Sequence, residues 1–387
     1  MMEIRLSERL RKLPPYLFRE VDMLKQKARQ EGKSLIDLSI GDPDMPTPGF
    51  IVEAMAEAIR DPSSHRYPSY DGLTEFREAV AQWYNERFGV ELDPKNEVVA
   101  LIGSKEGIAH LPFALLDPAD EVLVPDPGYP VYTQASILAD AIPKPFPLTW
   151  EYGFLPKMEV LEAAAGPKTR LIYLNYPNNP TAARAPLGFF EEVAAWAKVK
   201  GIVIAHDAAY SEVFLDPPTH SFLQAYGAKE VGVEFHSLSK TFSMTGWRVG
   251  FCVGNASVLK ALVQVKSNID SGVFEAIQMA GIVALRNAKH ASRAIALVYA
   301  QRRKQAVGRL KSAGIEVFPS DATFYLWCRV PKGSDSRAFA KRLIEESQVV
   351  VTPGVGFGSM GEGFFRISLT APDEMISTGV ERIVQAF

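Results

Sequence analysis

Short apolar runs recur along the chain, at 98–102, 122–124, 171–174, 202–205, 234–237 and 249–253. They are rich in Val, Ile and Leu, and most are continuous rather than alternating. That pattern predicts strands buried on both faces of a mostly parallel sheet. Between them lie longer segments with helical spacing. Residues 73–88 place Leu73, Phe76, Val80, Trp83, Tyr84 and Phe88 on one face, just after Asp71 as an N-cap. Residues 189–199 and 256–266 predict further helices. This alternation predicts an α/β sandwich with ligand sites at the carboxyl ends of its strands.

The two ends of the chain read differently. A polar helix over 19–30 precedes a strand over 35–40, which ends in the turn Gly41-Asp42-Pro43-Asp44. After about residue 290 a long helix (291–313) leads into short strands at 323–327, 349–351 and 364–368, then a last helix over 374–385. We expect a large domain over 45–285. A smaller α+β domain is expected from 286–387 together with the N-terminal arm, 1–44.

Composition narrows the class. A chain of 387 residues is long for one small core, in keeping with two domains. A net charge of -3 gives no basic excess, so neither nucleic acid nor an anionic membrane is expected as a partner. Cys252 and Cys328 each sit in an apolar stretch and read as buried free thiols. No signal peptide or membrane span is visible, so a cytoplasmic location is expected. The histidines are scattered without ligand spacing, so no metal site is expected.

The candidate chemistry centres on Lys240, in Ser237-Leu238-Ser239-Lys240, followed by Gly246-Trp247-Arg248. A lone lysine reads as a solvated loop residue. Here small hydroxyl residues flank it, and Arg248 can fork onto a phosphate. Asp207 and Tyr210 follow the strand at 202–205. By itself Asp207 reads as a helix cap. With Lys240 it can hold a protonated ring nitrogen, because an opposite charge favours that form. This set is what pyridoxal 5'-phosphate needs: a lysine for the Schiff base, an aspartate for the pyridine nitrogen and an arginine for the phosphate.

Other segments add to it. Gly103-Ser104-Lys105-Glu106-Gly107 sits where a strand passes into a helix, whose N-terminal N–H groups suit an anion. Tyr210 and Asn179, in the turn 175–181, can reach a ring oxygen. Tyr129 can stack on an aromatic ring or be plain core packing. Arg366 lies in the apolar strand 364–368 and needs a carboxylate, from a substrate or from the chain. Tyr16, Gly41 and Tyr67 carry no signal in isolation.

In order and spacing these segments resemble the fold-type-I, class I/II aminotransferases over nearly the whole chain. The resemblance implies a fold-type-I α/β architecture, pyridoxal phosphate as cofactor and Lys240 as proton shuttle. Ser104, Lys105, Ser237, Ser239 and Arg248 would surround the phosphate, with Gly103 at its cradle. Asp207 would hold the ring nitrogen, Tyr210 and Asn179 the ring oxygen, and Tyr129 a ring face. Tyr67 would reach the partner subunit's cofactor, which implies a homodimer. Gly41 and Arg366 would hold the substrate α-carboxylate.

Leu13-Pro14-Pro15-Tyr16, 103–107 and 126–132 are similar to LL-diaminopimelate aminotransferases. In that family the residues at Tyr16 and Lys105 help bind substrate. The usual glycine after Asn-Pro-Thr is Ala182 here. The implied reaction is ping-pong transamination with a 2-oxo acid, 2-oxoglutarate first among them. Rivals are an aminotransferase for alanine, aspartate or aromatic amino acids, and a lyase on the same fold. A ligand-sensing regulator would need an added DNA-binding segment, and a nicotinamide dehydrogenase is disfavoured by the lack of an early Gly-x-Gly-x-x-Gly.

Overall fold

The computed structural model describes residues 4–14 and 17–387, the side chains of 17–20 excepted. Tyr16 therefore lies outside the described residues.

The apolar runs build a seven-stranded sheet. Its strands are β1 (Val98–Leu101), β2 (Glu121–Asp126), β3 (Ile142–Pro147), β4 (Thr169–Asn175), β5 (Val203–Asp207), β6 (Gly232–Ser237) and β7 (Gly250–Gly254). Their order in space is β1-β7-β6-β5-β4-β2-β3. Neighbours from β6 to β3 are parallel, whereas β7 runs antiparallel to both β6 and β1. Successive side chains point to opposite faces. Val98 and Ala100 enter one core layer, and Val99 and Leu101 enter the other. A sheet covered on both faces explains the unbroken apolar runs.

Strand β3 has no counterpart in the sequence reading. Its sequence, Ile142-Pro143-Lys144-Pro145-Phe146-Pro147, lacks donors at every second position. It survives because it is an edge strand paired only with β2, and only Phe146 is buried.

The expected cap of the helix over 73–88 is corrected. The helix is Thr74–Phe88, with Leu73 at the N-cap and no side-chain cap. Gly72, at φ +97°, turns the chain between Asp71 and the helix. Asp71 instead pairs with Arg77 at 3.2 Å, and its carbonyl accepts from Ala100 N at 2.9 Å.

Beyond the long helix Ala288–Ser312, Thr352–Pro353, Phe364–Ser368 and Tyr325–Arg329 form a three-stranded antiparallel sheet. The strand expected at 323–327 starts two residues later. Thr323 has φ +59°, and its Oγ1 accepts from Tyr325 N at 3.0 Å. The arm strand shrinks to Ile36–Asp37, which runs parallel to Val349–Val350. Ser39 N and Oγ turn back onto the Asp37 carboxylate, at 3.0 and 2.6 Å, and leave the ladder. Val21 and Ala28 of the arm pack against Ile344 and Val350. Cys252 and Cys328 are free and buried. Among the described residues, no helix is long and apolar enough to cross a membrane.

Candidate active site

Strands β4, β5 and β6 end at Asn175, Asp207 and Ser237, on one edge of the sheet. A cavity of about 350 Å³ opens there, within the usual range for small-molecule sites. Lys240 reaches it from the short helix Leu238–Thr241, which Ser237 caps by accepting from Ser239 N at 3.2 Å. Lys240 Nζ donates to Gly41 O at 2.7 Å. Burial lowers its pKa to about 8; Asp42 opposes that shift, and Arg248 and Arg366 add to it. A half-buried amine beside two guanidiniums thus has its pKa brought toward physiological pH, where a lysine can exchange a proton.

Asp207 is buried. Its Oδ2 accepts from Tyr132 Oη at 2.8 Å and its Oδ1 from Ala209 N at 3.2 Å. Burial raises its pKa, and those two hydrogen bonds oppose the rise. Behind it, the β5–β6 register sets His206 beside Glu234. Burial pushes the Glu234 carboxyl up, but bonds from His206 and His236 hold it well below the usual range.

Arg366 is buried, and no carboxylate pairs with it among the described residues. Its Nη1 donates to Asn179 Oδ1 and its Nη2 to Ser39 O, both at 2.7 Å. Its guanidinium carbon lies 4.1 Å from the Tyr325 ring centroid, and its Nε has no hydrogen-bond partner. The chain thus supplies neutral oxygens where a carboxylate was one of two alternatives. Tyr210 Oη meets Tyr325 Oη at 3.0 Å.

The side of the cavity beside Gly103 is equally specific. Gly103 has φ +74°, and a Cβ there would lie 2.2 Å from Arg248 Nη2. Glycine therefore lets a guanidinium lie across the N-terminus of helix Ser104–Leu115. Arg248 itself has φ +55° and donates to Thr245 O at 2.9 Å. Ser239 Oγ is buried with no hydrogen-bond partner.

The cavity gathers Gly41, Ser104, Lys105, Tyr129, Asn179 and Asp207 with Tyr210, Ser237, Ser239, Lys240, Arg248 and Arg366. Gly103 lies just beneath, against Arg248. Tyr67 is not among them; it is 88% exposed. Sequence reasoning missed Tyr132, Tyr325 and Phe357. Tyr132 lies three residues beyond Tyr129, in the first turn of the helix Val131–Leu138, a spacing that also fits plain packing. Tyr325 and Phe357 arrive from the small sheet and its flanking turn.

Four features fit one group. An orphaned serine and Arg248 at a helix N-terminus suit a phosphate. A buried carboxylate with no ion-pair partner among the described residues suits a basic ring nitrogen, and a half-buried lysine of lowered pKa suits an aldehyde carbon. Pyridoxal phosphate has all three functions.

The aminotransferase class I and II family model matches residues 33–383. An LL-diaminopimelate aminotransferase of Aquifex aeolicus is 51% identical over 380 residues, covering 97% of this chain and 98% of that protein. The substrate-bound BacF structure from Bacillus subtilis has a TM-score of 0.94 at 37% identity, covering 99% of this chain and 98% of that one. A probable N-succinyldiaminopimelate aminotransferase of Thermus thermophilus has a TM-score of 0.91 at 39% identity, covering 96% of this chain and 100% of that one. With the lysine, aspartate and arginines arranged as described, the chain belongs to the class I and II aminotransferases, a family of pyridoxal-phosphate-dependent enzymes.

Proposed function

We propose that the chain binds pyridoxal 5'-phosphate and transfers the amino group of LL-2,6-diaminopimelate to 2-oxoglutarate, a step of lysine biosynthesis, as a cytoplasmic homodimer. The observation that carries the reading is the pairing, in one cavity, of half-buried Lys240 with buried Arg366, a cation with no carboxylate partner among the described residues. An amino acid brings the missing carboxylate. The relatives at about half identity, named for diaminopimelate, support this substrate.

Arg366 would grip the α-carboxylate through a bidentate pair, trading its bond to Asn179 Oδ1. That grip presents the α-carbon to Lys240 Nζ. The bound cofactor would supply an electron sink for the pair left at that carbon. Asp207 would hold positive charge at the ring nitrogen, and Ser237, Ser239 and Arg248 would hold the phosphate. Lys240 takes the α-proton as general base and returns one as general acid. In the second half-reaction Arg366 and Lys240 repeat these tasks on the oxo acid, in reverse.

Tyr67 would complete the partner subunit's phosphate site. Exposed Tyr67, Tyr70 and Ile269, at 88%, 47% and 58%, support a covered apolar face. Separate sheets over 98–254 and 325–368 support the division into a large unit (45–285) and a small one (1–44 and 286–387). Free buried Cys252 and Cys328 support a reducing compartment.

The test mixes cofactor-loaded protein with single amino acids and follows the cofactor's absorbance. Fast conversion with LL-diaminopimelate and glutamate alone supports the reading. Faster conversion with alanine, aspartate, aromatic amino acids or N-succinyl-diaminopimelate keeps the aminotransferase and discards the substrate. Release of ammonia without an oxo acid would point to lyase chemistry.

A further inference from the structure

Lys266 is fully buried in the helix Ala256–Ile269, yet it takes no part in the chemistry above. Its Nζ lies 2.9 Å from Glu106 Oε2 and 3.1 Å from Asp270 Oδ2. With His110, whose Nδ1 is 2.7 Å from Glu106 Oε1, these carboxylates are the one group among the described residues spaced like metal ligands. The Lys266 ammonium already bridges the two carboxylates, so the group is charge-compensated from within the chain. The desolvation cost of a fully buried ammonium is offset by these two part-buried carboxylates, so removing either one leaves the charge under-compensated.

Each carboxylate holds a second element. Glu106 Oε2 also accepts from Ile102 N at 3.1 Å, so it clamps the exit of β1 onto the first turn of helix Ser104–Leu115. Gly103 and Ser104, the phosphate cradle, lie inside that clamp. Asp270 Oδ1 accepts from Gly272 N at 2.8 Å. Gly272, at φ +84°, is pressed against the segment that follows Tyr67: a Cβ would lie 2.7 Å from Ser69 O and 3.3 Å from Pro68 Cγ. One ammonium therefore stands between the cradle of its own site and the segment that presents Tyr67.

We infer that Lys266 is a positioning residue that ties the phosphate cradle of its own site to the Tyr67 segment serving the other, so that each protomer of a dimer couples the two sites through one buried cation. The inference rests on the dimer and cofactor reading above. Side chains that hold a site in register act through such supporting contacts rather than by touching the ligand.

The test is equilibrium binding of pyridoxal phosphate to cofactor-free protein, with Tm measured in parallel. Glu106→Gln and Asp270→Asn each weaken one arm and keep the lysine, while Lys266→Met removes the centre. Each is expected to raise the Kd at least about tenfold and leave kcat at saturating cofactor within about threefold, and Lys266→Arg should restore most of the affinity. Asp270→Asn combined with Tyr67→Phe should bind no more weakly than the worse single variant, because both act on the same contact. A lowered Tm with unchanged Kd would make the cluster merely structural and overturn the inference, as would additive losses in the Asp270 and Tyr67 pair. If Lys266→Met does not fold, Glu106→Gln and Asp270→Asn decide the matter alone. Unsubstituted protein that binds no pyridoxal phosphate would instead overturn the function proposed above, and that measurement comes first.

Discussion

The ammonium of Lys240 donates to the carbonyl of Gly41 across 2.7 Å, joining residues 199 apart in the chain. The contact brings the N-terminal arm against the end of β6. It leaves no room at Gly41, where a Cβ would lie 1.9 Å from Tyr325 Oη. Glycine is required here by close approach rather than by its backbone angles.

Gly41→Ala should therefore push Tyr325 away from Tyr210 and shift the floor beneath Arg366. Overpacking of this kind costs about 1–3 kcal/mol. We expect kcat/KM for the amino acid to fall about 5- to 150-fold, measured by steady-state kinetics. A loss smaller than about threefold would mean that Tyr325 moves aside freely.

Lys240→Ala should abolish turnover while cofactor binding persists through the phosphate and Asp207 contacts. Lys240→Met in cofactor-free protein tests the electrostatics. The pKa of Lys240 is lowered by burial to about 8, below its unfolded value. Between that pKa and the unfolded one, the unfolded chain binds more protons, so stability rises with pH. Below about pH 8 the folded chain carries the full penalty of a buried ammonium, on the order of 3 kcal/mol. The methionine variant should be the more stable protein at pH 7, with the gap closing toward pH 10. Urea titrations at both pH values, at one protein concentration, check this.

Arg366→Lys keeps a charge but loses the planar fork and its seat 4.1 Å from the Tyr325 ring centroid. KM should rise about 10- to 100-fold for the amino acid and the oxo acid alike, since both bring a carboxylate to the same place. An effect on only one of them would separate their binding sites.

Tyr132→Phe removes the 2.8 Å bond to Asp207 Oδ2. That bond opposes the upward push of burial on the Asp207 pKa, so its loss should raise the pKa further. A hydrogen bond to a charged group is worth about 1.5–3 kcal/mol. Cofactor affinity should drop about tenfold or more, with the largest loss at low pH, where Asp207 is neutral. Titration of cofactor-free protein across pH measures it.

Ala182 holds φ +65° in the turn after Asn179-Pro180-Thr181, a left-handed angle that suits glycine. Ala182→Gly should stabilise the protein by about 1 kcal/mol, read from urea midpoints. An unchanged or lower midpoint would mean that the buried methyl contributes as much as the strain costs.

Much of this was legible before folding because it is local. A strand buried on both faces shows as an unbroken apolar run, and a helix of this size shows in its spacing. The Ser237–Arg248 segment, Asp207 with Tyr210, and Asn179 each carry their chemistry in short stretches that end strands or start helices. Proline-rich β3 was hidden, because an edge strand tolerates what a central strand cannot. The Asp71 cap failed because Gly72 turned the backbone away.

The sequence by itself determined the fold class, the family and most of the residues that line the cavity. Those follow from residue type and spacing along one stretch of chain. Tertiary structure alone decided that Tyr132 buttresses Asp207, that Tyr325 fills the space at Gly41, and that Arg366 has neutral partners instead of a carboxylate. It also brought Glu106, Asp270 and His110 around Lys266. Each of these is a meeting of elements far apart in sequence, and its energy comes from burial and charge compensation that no single segment contains.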